Sequence, residues 1–316
     1  MQILCAYVAK KARYLQPAIL NDVVTFLCHF GTTSSQPVMR VCLQLMMKQI
    51  NNLALDQLTV LAHDLSGLDA TKQTRVLQNA IGVLCNTRGD QLSLLSIEHK
   101  IYLLEEYGSK LQYTDQLLDS LWGDRREMRK WQEAVGFFVA LAKAAAPTGD
   151  SDSKTMLQRH QCLAEWCIDI VLQQYVWLNV ADIEALLAAF VQLDIYDADL
   201  FRILGNRAVQ QCSDVQSQLS VWNLLADADY MHVGLMDAVL TDLRNCDVQQ
   251  LTVETQLSLL PFIAEAVNYY CSRTTDGEQL SSYCFSDTIS ACVEQLGKTL
   301  QMSEHVPEGK YDGMHN

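Results

Sequence analysis

Four basic side chains crowd into six residues: Arg125, Arg126, Arg129 and Lys130, directly ahead of Trp131. Arginine forks match phosphate oxygens two at a time, so this run is the candidate nucleic-acid-binding site of the chain, a phosphate clamp. Arg125 and Arg129 share one face if a helix begins near Asp124. The competing reading is a solvated face whose charges pair with Asp124 and Glu127. Arg202 and Arg207 are weaker candidates of the same kind.

The remaining reactive residue types form no recognisable machinery. Asp194, Asp197 and Asp199, and the pair Asp227 and Asp229, have the density of metal or acid–base sites. They fall at expected inter-helix turns, where Asp caps helices and bonds backbone amides. His63 on an apolar helical stretch and His99 in a first helical turn read as structural histidines. The segment Thr148–Thr155 has the look of a phosphate loop but lacks the glycine that should precede Lys154. The eleven cysteines include no CxxC pair, and His160, Cys162 and Cys167 are the nearest approach to a metal set. Most sit among apolar neighbours, where a free thiol behaves as a small hydrophobe, so a reducing compartment is expected. No catalytic residue, metal or cofactor is expected, and no enzyme activity.

Composition sets the frame that must hold these residues. The chain has 316 residues, 49% hydrophobic and 19% charged, with 14 glycines and 5 prolines. Glycine and proline run at roughly half their average usage, which argues against turn-dense β folds and disorder. No apolar run reaches the ~18 residues of a membrane span. Acids outnumber bases 37 to 23, a net charge of −14, the wrong sign for a general coating on nucleic acid. The imbalance is uneven, because residues 1–50 hold Lys10, Lys11, Arg13, Arg40 and Lys48 against Asp22 alone. Any nucleic-acid contact must therefore be local.

The organisation is a repeat. Apolar residues recur at i, i+3, i+4 and i+7, the face of an amphipathic helix. Copies begin at Val23, Leu58, Ile97, Trp131, Ile183, Val221 and Leu257, spaced 35, 39, 34, 52, 38 and 36 residues apart. The long interval contains the polar stretch Pro147–Ser153, read as a loop insertion near residues 147–155. Second helical patterns follow each copy, over Val38–Gln49, Arg75–Leu84, Tyr113–Leu121, Met156–Tyr175, Leu200–Gln211, Leu235–Leu243 and Leu280–Leu300. Acids open the first helices at Asp22, Asp56, Glu98, Asp182 and Glu254, where they favour the helix dipole. The expected fold is all-α: an α-solenoid of about seven helix-turn-helix repeats of 34–39 residues, one array over residues 1–302 with a polar tail over 303–316.

The unit Ile183–Ala208 resembles a helical repeat of the FAST-kinase-like and RAP-domain proteins, relatives of the octotricopeptide-repeat group. Leu186, Leu187, Ala189, Phe190 and Leu193, then Asp197, Leu200 and Phe201, stand at the matching places, and Leu55–Leu84 is similar. Members of that family mostly process, stabilise or translate organellar RNA without metabolic activity of their own. The kinase in the name implies no activity here, since neither GxGxxG nor an HRD-type loop occurs. Two departures, no recognisable RAP domain and the acidic balance, favour a scaffold over an RNA reader.

The resemblance therefore implies a non-enzymatic scaffold in a mitochondrial RNA-processing, RNA-stability or ribosome-assembly complex. Its partners would be proteins of that complex, with RNA as a further ligand, and neither a membrane nor a small-molecule substrate. A direct RNA-binding repeat protein and a cytoplasmic adaptor unrelated to RNA stay open. Residues 1–21, basic and without an acid before the array, read equally as a weak mitochondrial targeting segment or as the first helix.

Overall fold

In the computed structural model, residues 11, 14–30, 36–66, 72–145, 157–243, 246 and 251–273 are described. Among them every regular element is helical. The α-helices are α1 Pro17–Phe30, α2 Gln36–Gln49, α3 Leu55–Ser66, α4 Lys72–Asn86, α5 Ile97–Tyr107, α6 Thr114–Gly123, α7 Trp131–Ala145, α8 Gln161–Gln174, α9 Val180–Leu193, α10 Ala198–Gln211, α11 Val215–Asp227, α12 Val233–Leu243 and α13 Val253–Arg273. Each of the seven apolar copies lies in an odd-numbered helix. The second patterns before residue 244 coincide with the even-numbered ones, that of Met156–Tyr175 only over Gln161–Gln174, with Met156 itself outside the described residues. The loop insertion, Leu280–Leu300 and the polar tail lie outside the described residues.

The chain divides into two units, Met1–Gln174 with Gln192–Asp194, and Tyr175–Val191 with Ile195–Asn316. In the first, α1 packs on α2 and α3, α3 on α4 and α5, α5 on α6 and α7, and α7 on α8, while α2 meets α4. Successive odd helices thus touch one another as well as their own partners. Leu58, Leu61, Leu65, Leu103, Leu104, Phe137 and Phe138 are fully enclosed. The chain from α5 into the turn after it runs close to α7: a side chain on Gly108 would meet Ala144 Cβ at 2.7 Å, and one on Gly136 would meet Ile101 at 3.4 Å. Only glycine admits that contact at position 108.

In the second unit α10 packs on α11 and α12, and α11 on α12 and α13. Phe201 is its aromatic centre, with Phe190, Tyr196 and Tyr230 at ring distances of 6.2, 5.5 and 5.6 Å. Trp222 meets Phe262 edge-on at 4.9 Å.

Local chemistry sets the helix ends. Ser96, Asp197 and Asp214 accept hydrogen bonds from the third residue after them and so cap α5, α10 and α11. Asn179 and Asp182 cap α9 reciprocally, each side chain accepting from the other's backbone N–H at 3.0 Å. Asp56, Glu98, Asp182 and Glu254 do stand in first turns. Asp22 does not: α1 starts at Pro17, whose fixed φ suits a first helical position, so Asp22 lies one turn further in. Helices α9 and α11 end on Asp194 and Asp229, both with φ of 55°. Ile195 N–H then donates to Phe190 O and Tyr230 N–H to Leu225 O, closing a Schellman turn each time.

A recurrent tie joins the start of an odd helix to the far end of its pair. Gln91 Oε1 accepts from Leu55 N–H at the head of α3, and Gln174 Oε1 from Trp131 N–H at the head of α7. Arg207 Nε donates to Leu178 O just before α9. These bonds fix each pair as antiparallel.

Candidate functional site

The basic run falls in the connector between α6 and α7, not on a helix: residues 124–127 form turns and α7 begins only at Trp131. Arg125 and Arg129 therefore do not share a helical face. Three contacts hold the connector. Met128 is buried with its Sδ 3.4 Å from Cys167 Sγ. Glu133, in the first turn of α7, accepts from Arg129 and Lys130 N–H at 3.0 and 3.1 Å, and Gln174 donates to Arg129 O at 2.6 Å.

Each cation has its own setting. The Arg125 guanidinium lies 3.9 Å over the Trp122 ring and donates to Trp122 O at 2.9 Å. Arg129 Nε donates to Arg126 O at 3.0 Å. Lys130 Nζ stands 3.8 Å from Glu98 Oε1, and the Arg126 side chain is exposed. Asp124 pairs not with these arginines but with Lys100, whose side chain is buried. Arg202 pairs with Asp199 at 3.1 Å.

Beside the connector, α3, α5 and α7 line a groove of about 490 Å³. Its walls carry His63, His99, Tyr102, Lys130 and three carboxylates, Glu98, Glu105 and Glu133. Glu105 accepts from Lys143. Behind one wall, His29 Nε2 meets the buried Asp64 Oδ1 at 3.1 Å, while His63 Nδ1 stands 3.9 Å from the same oxygen.

The neighbouring thiols are kept from ionising. Burial, then the Asp64 charge, pushes Cys28 up to about 12, and burial alone raises Cys167 further still. Among the described residues, no group of three side chains is arranged to hold a metal ion. A thiolate nucleophile is thereby unsupported at Cys28 despite His29 and Asp64 beside it. The arrangement is suited to binding: a mixed-charge groove bordered by a basic connector.

Sequence reading did not reach three charged clusters: Lys100 with Asp124, His29 with Asp64, and His160 with Asp115 and Asp119 at 3.6 and 3.7 Å. One signal was present for the first, a lone lysine amid Ile97, Ile101, Leu103 and Leu104. No protein-family model matches the chain, and no curated protein matches it significantly. No helix among the described residues is long and apolar enough to cross a membrane.

Proposed function

We propose that the chain is a non-enzymatic helical-repeat scaffold, an α-solenoid related to the FAST-kinase-like and RAP-domain repeats, working in a mitochondrial RNA-processing or ribosome-assembly complex. The observation that carries the scaffold reading is the setting of the basic connector. Arg125 and Arg129 spend donors on carbonyls of their own segment, and the adjoining groove presents three glutamates. A phosphate backbone would meet carboxylates there, whereas a protein surface of mixed charge fits. Odd helices packed on the next odd helix, α1 on α3, α3 on α5 and α5 on α7 in the first unit and α11 on α13 in the second, support the solenoid arrangement, since stacking of that kind is how helix pairs bury their faces. The mitochondrial setting and the RNA-handling partners rest on the repeat resemblance at Ile183–Ala208.

The test is purification of the tagged protein from its native cells, with half of the sample treated with nuclease. A fixed set of RNA-processing proteins that survives nuclease is the expected result. Partners that disappear with the RNA would favour direct reading of RNA, and Arg126→Glu should then weaken binding steeply at low salt. Arg126 is the residue to change because its exposed side chain supports no other contact described above. Absence of RNA-handling proteins from the untreated half would remove the organellar assignment.

A further inference from the structure

A second groove, of about 560 Å³, runs between α11 and α13 in the second unit. Leu257, Pro261 and Glu265 form one stripe of α13, four residues apart, facing Trp222, Asn223 and Asp227 of α11. Leu257 is 45% exposed and Leu260 beside it 40%, so apolar surface stands open to water on this helix. Pro261 sits inside α13 and has no N–H, so the helix offers Leu257 O no donor one turn on.

Its charges have no fold-stabilising explanation. Asp227 and Glu265 have no ion-pair partner among the described residues. Asp227 moreover closes the C-terminal end of α11, where the helix dipole disfavours a carboxylate. No basic residue lines the groove. Two carboxylates without an ion-pair partner beside the exposed apolar surface of Leu257 and Pro261 are complementary to an aliphatic stem ending in a cation.

We infer that this groove docks a basic amphipathic segment of a partner protein, its Lys or Arg heads on Asp227 and Glu265 and its apolar side chains on Leu257 and Pro261. The inference rests on the scaffold reading and names the chemistry of one partner. The chain's own C-terminal segment is the wrong occupant by charge: residues 274–316 carry seven acids against Lys298 and Lys310. Nucleic acid is excluded by the same carboxylates.

The experiment uses the purified full chain and a fluorescein-labelled peptide with Leu and Lys at helical spacing, followed by anisotropy. Saturable binding is expected, weakened roughly ten-fold by Asp227→Lys with Glu265→Lys, in line with the loss of two exposed ion pairs and the gain of two repulsions. Glu106→Lys with Asp169→Lys changes the net charge equally in the first unit and should leave affinity unaltered. Asp227→Asn with Glu265→Gln gives a milder loss and serves if the lysine pair disturbs folding. Equal weakening by both lysine pairs would mean general acidity alone, and absence of saturable binding would mean an occupied or inert groove; either overturns the inference. Because the assay contains only chain and peptide, a negative result leaves the nuclease experiment to judge the scaffold reading by itself.

Discussion

The imidazole of His232 occupies the space a side chain on Gly205 would need: a Cβ there would lie 2.2 Å from His232 Cδ2 and 2.6 Å from Cγ. Gly205 is buried within α10, where glycine costs helix stability of itself, so close approach is its justification. Gly205→Ala should therefore destabilise the protein by roughly 1–3 kcal/mol, the usual cost of overpacking, despite alanine's better helix propensity. Thermal melts measure this. The penalty should shrink in a His232→Ala background, and an unchanged penalty would show that the ring is not what fills the space.

The same ring is a helix cap. His232 Nδ1 accepts from Leu235 N–H at 2.9 Å, and Nε2 lies 3.3 Å from Arg202 O, which assigns the neutral ring with its proton on Nε2. Burial lowers its pKa, outweighing the hydrogen bonds that raise it. The unfolded chain then binds this proton more readily than the folded one, so the stability is complete above the unfolded value of about 6.5 and is lost as pH falls below it. Melting curves between pH 7.5 and about 5 should show a steeper decline for the native sequence than for His232→Asn, which keeps a capping acceptor but does not titrate. Parallel declines would refute the assignment.

Lys100 and Asp124 form an asymmetric pair, one side chain 1% exposed and the other 40%. Removing the carboxylate strands a buried ammonium, whereas removing the ammonium leaves a carboxylate that water reaches. Asp124→Ala should cost on the order of 2 kcal/mol, less than for a fully enclosed pair because of that solvent access. Lys100→Met, similar in volume and apolar, should cost less. Denaturant titration of the two variants gives the order, and the reverse order would refute this account.

Asp229 adopts a left-handed conformation that an L side chain tolerates poorly. Asp229→Gly should raise stability by up to about 1 kcal/mol, provided the Schellman bond from Tyr230 to Leu225 is kept. A loss of stability would mean that the carboxylate makes a contribution larger than the strain it brings.

The helices were legible because their apolar spacing is strong: Leu58, Leu61, Ala62 and Leu65 are all buried in α3, as the periodicity requires. The connector at 124–130 was not. Its arginines stand four apart with no proline or glycine between them, and helical register is the natural local reading. Two contacts unwind it: Glu133, three and four residues on, accepts from the Lys130 and Arg129 N–H groups, and Gln174, from the end of α8, donates to Arg129 O. The turns at Asp194 and Asp229 were legible, but their left-handed conformation was not, since aspartate rather than glycine occupies both. Pairings such as His29 with Asp64, 35 residues apart, arise only once α1 lies on α3.

The bonds that close the helix pairs also bear on how the chain reaches this structure. Gln91 meets Leu55 across 36 residues, Gln174 meets Trp131 across 43, and Arg207 meets Leu178 across 29. Each closure needs chain from within a single pair, so its loop entropy is modest. A nascent chain of this kind acquires its native contacts pair by pair as it emerges, and α1 to α4 already possess their mutual surfaces before the residues of α13 have been synthesised.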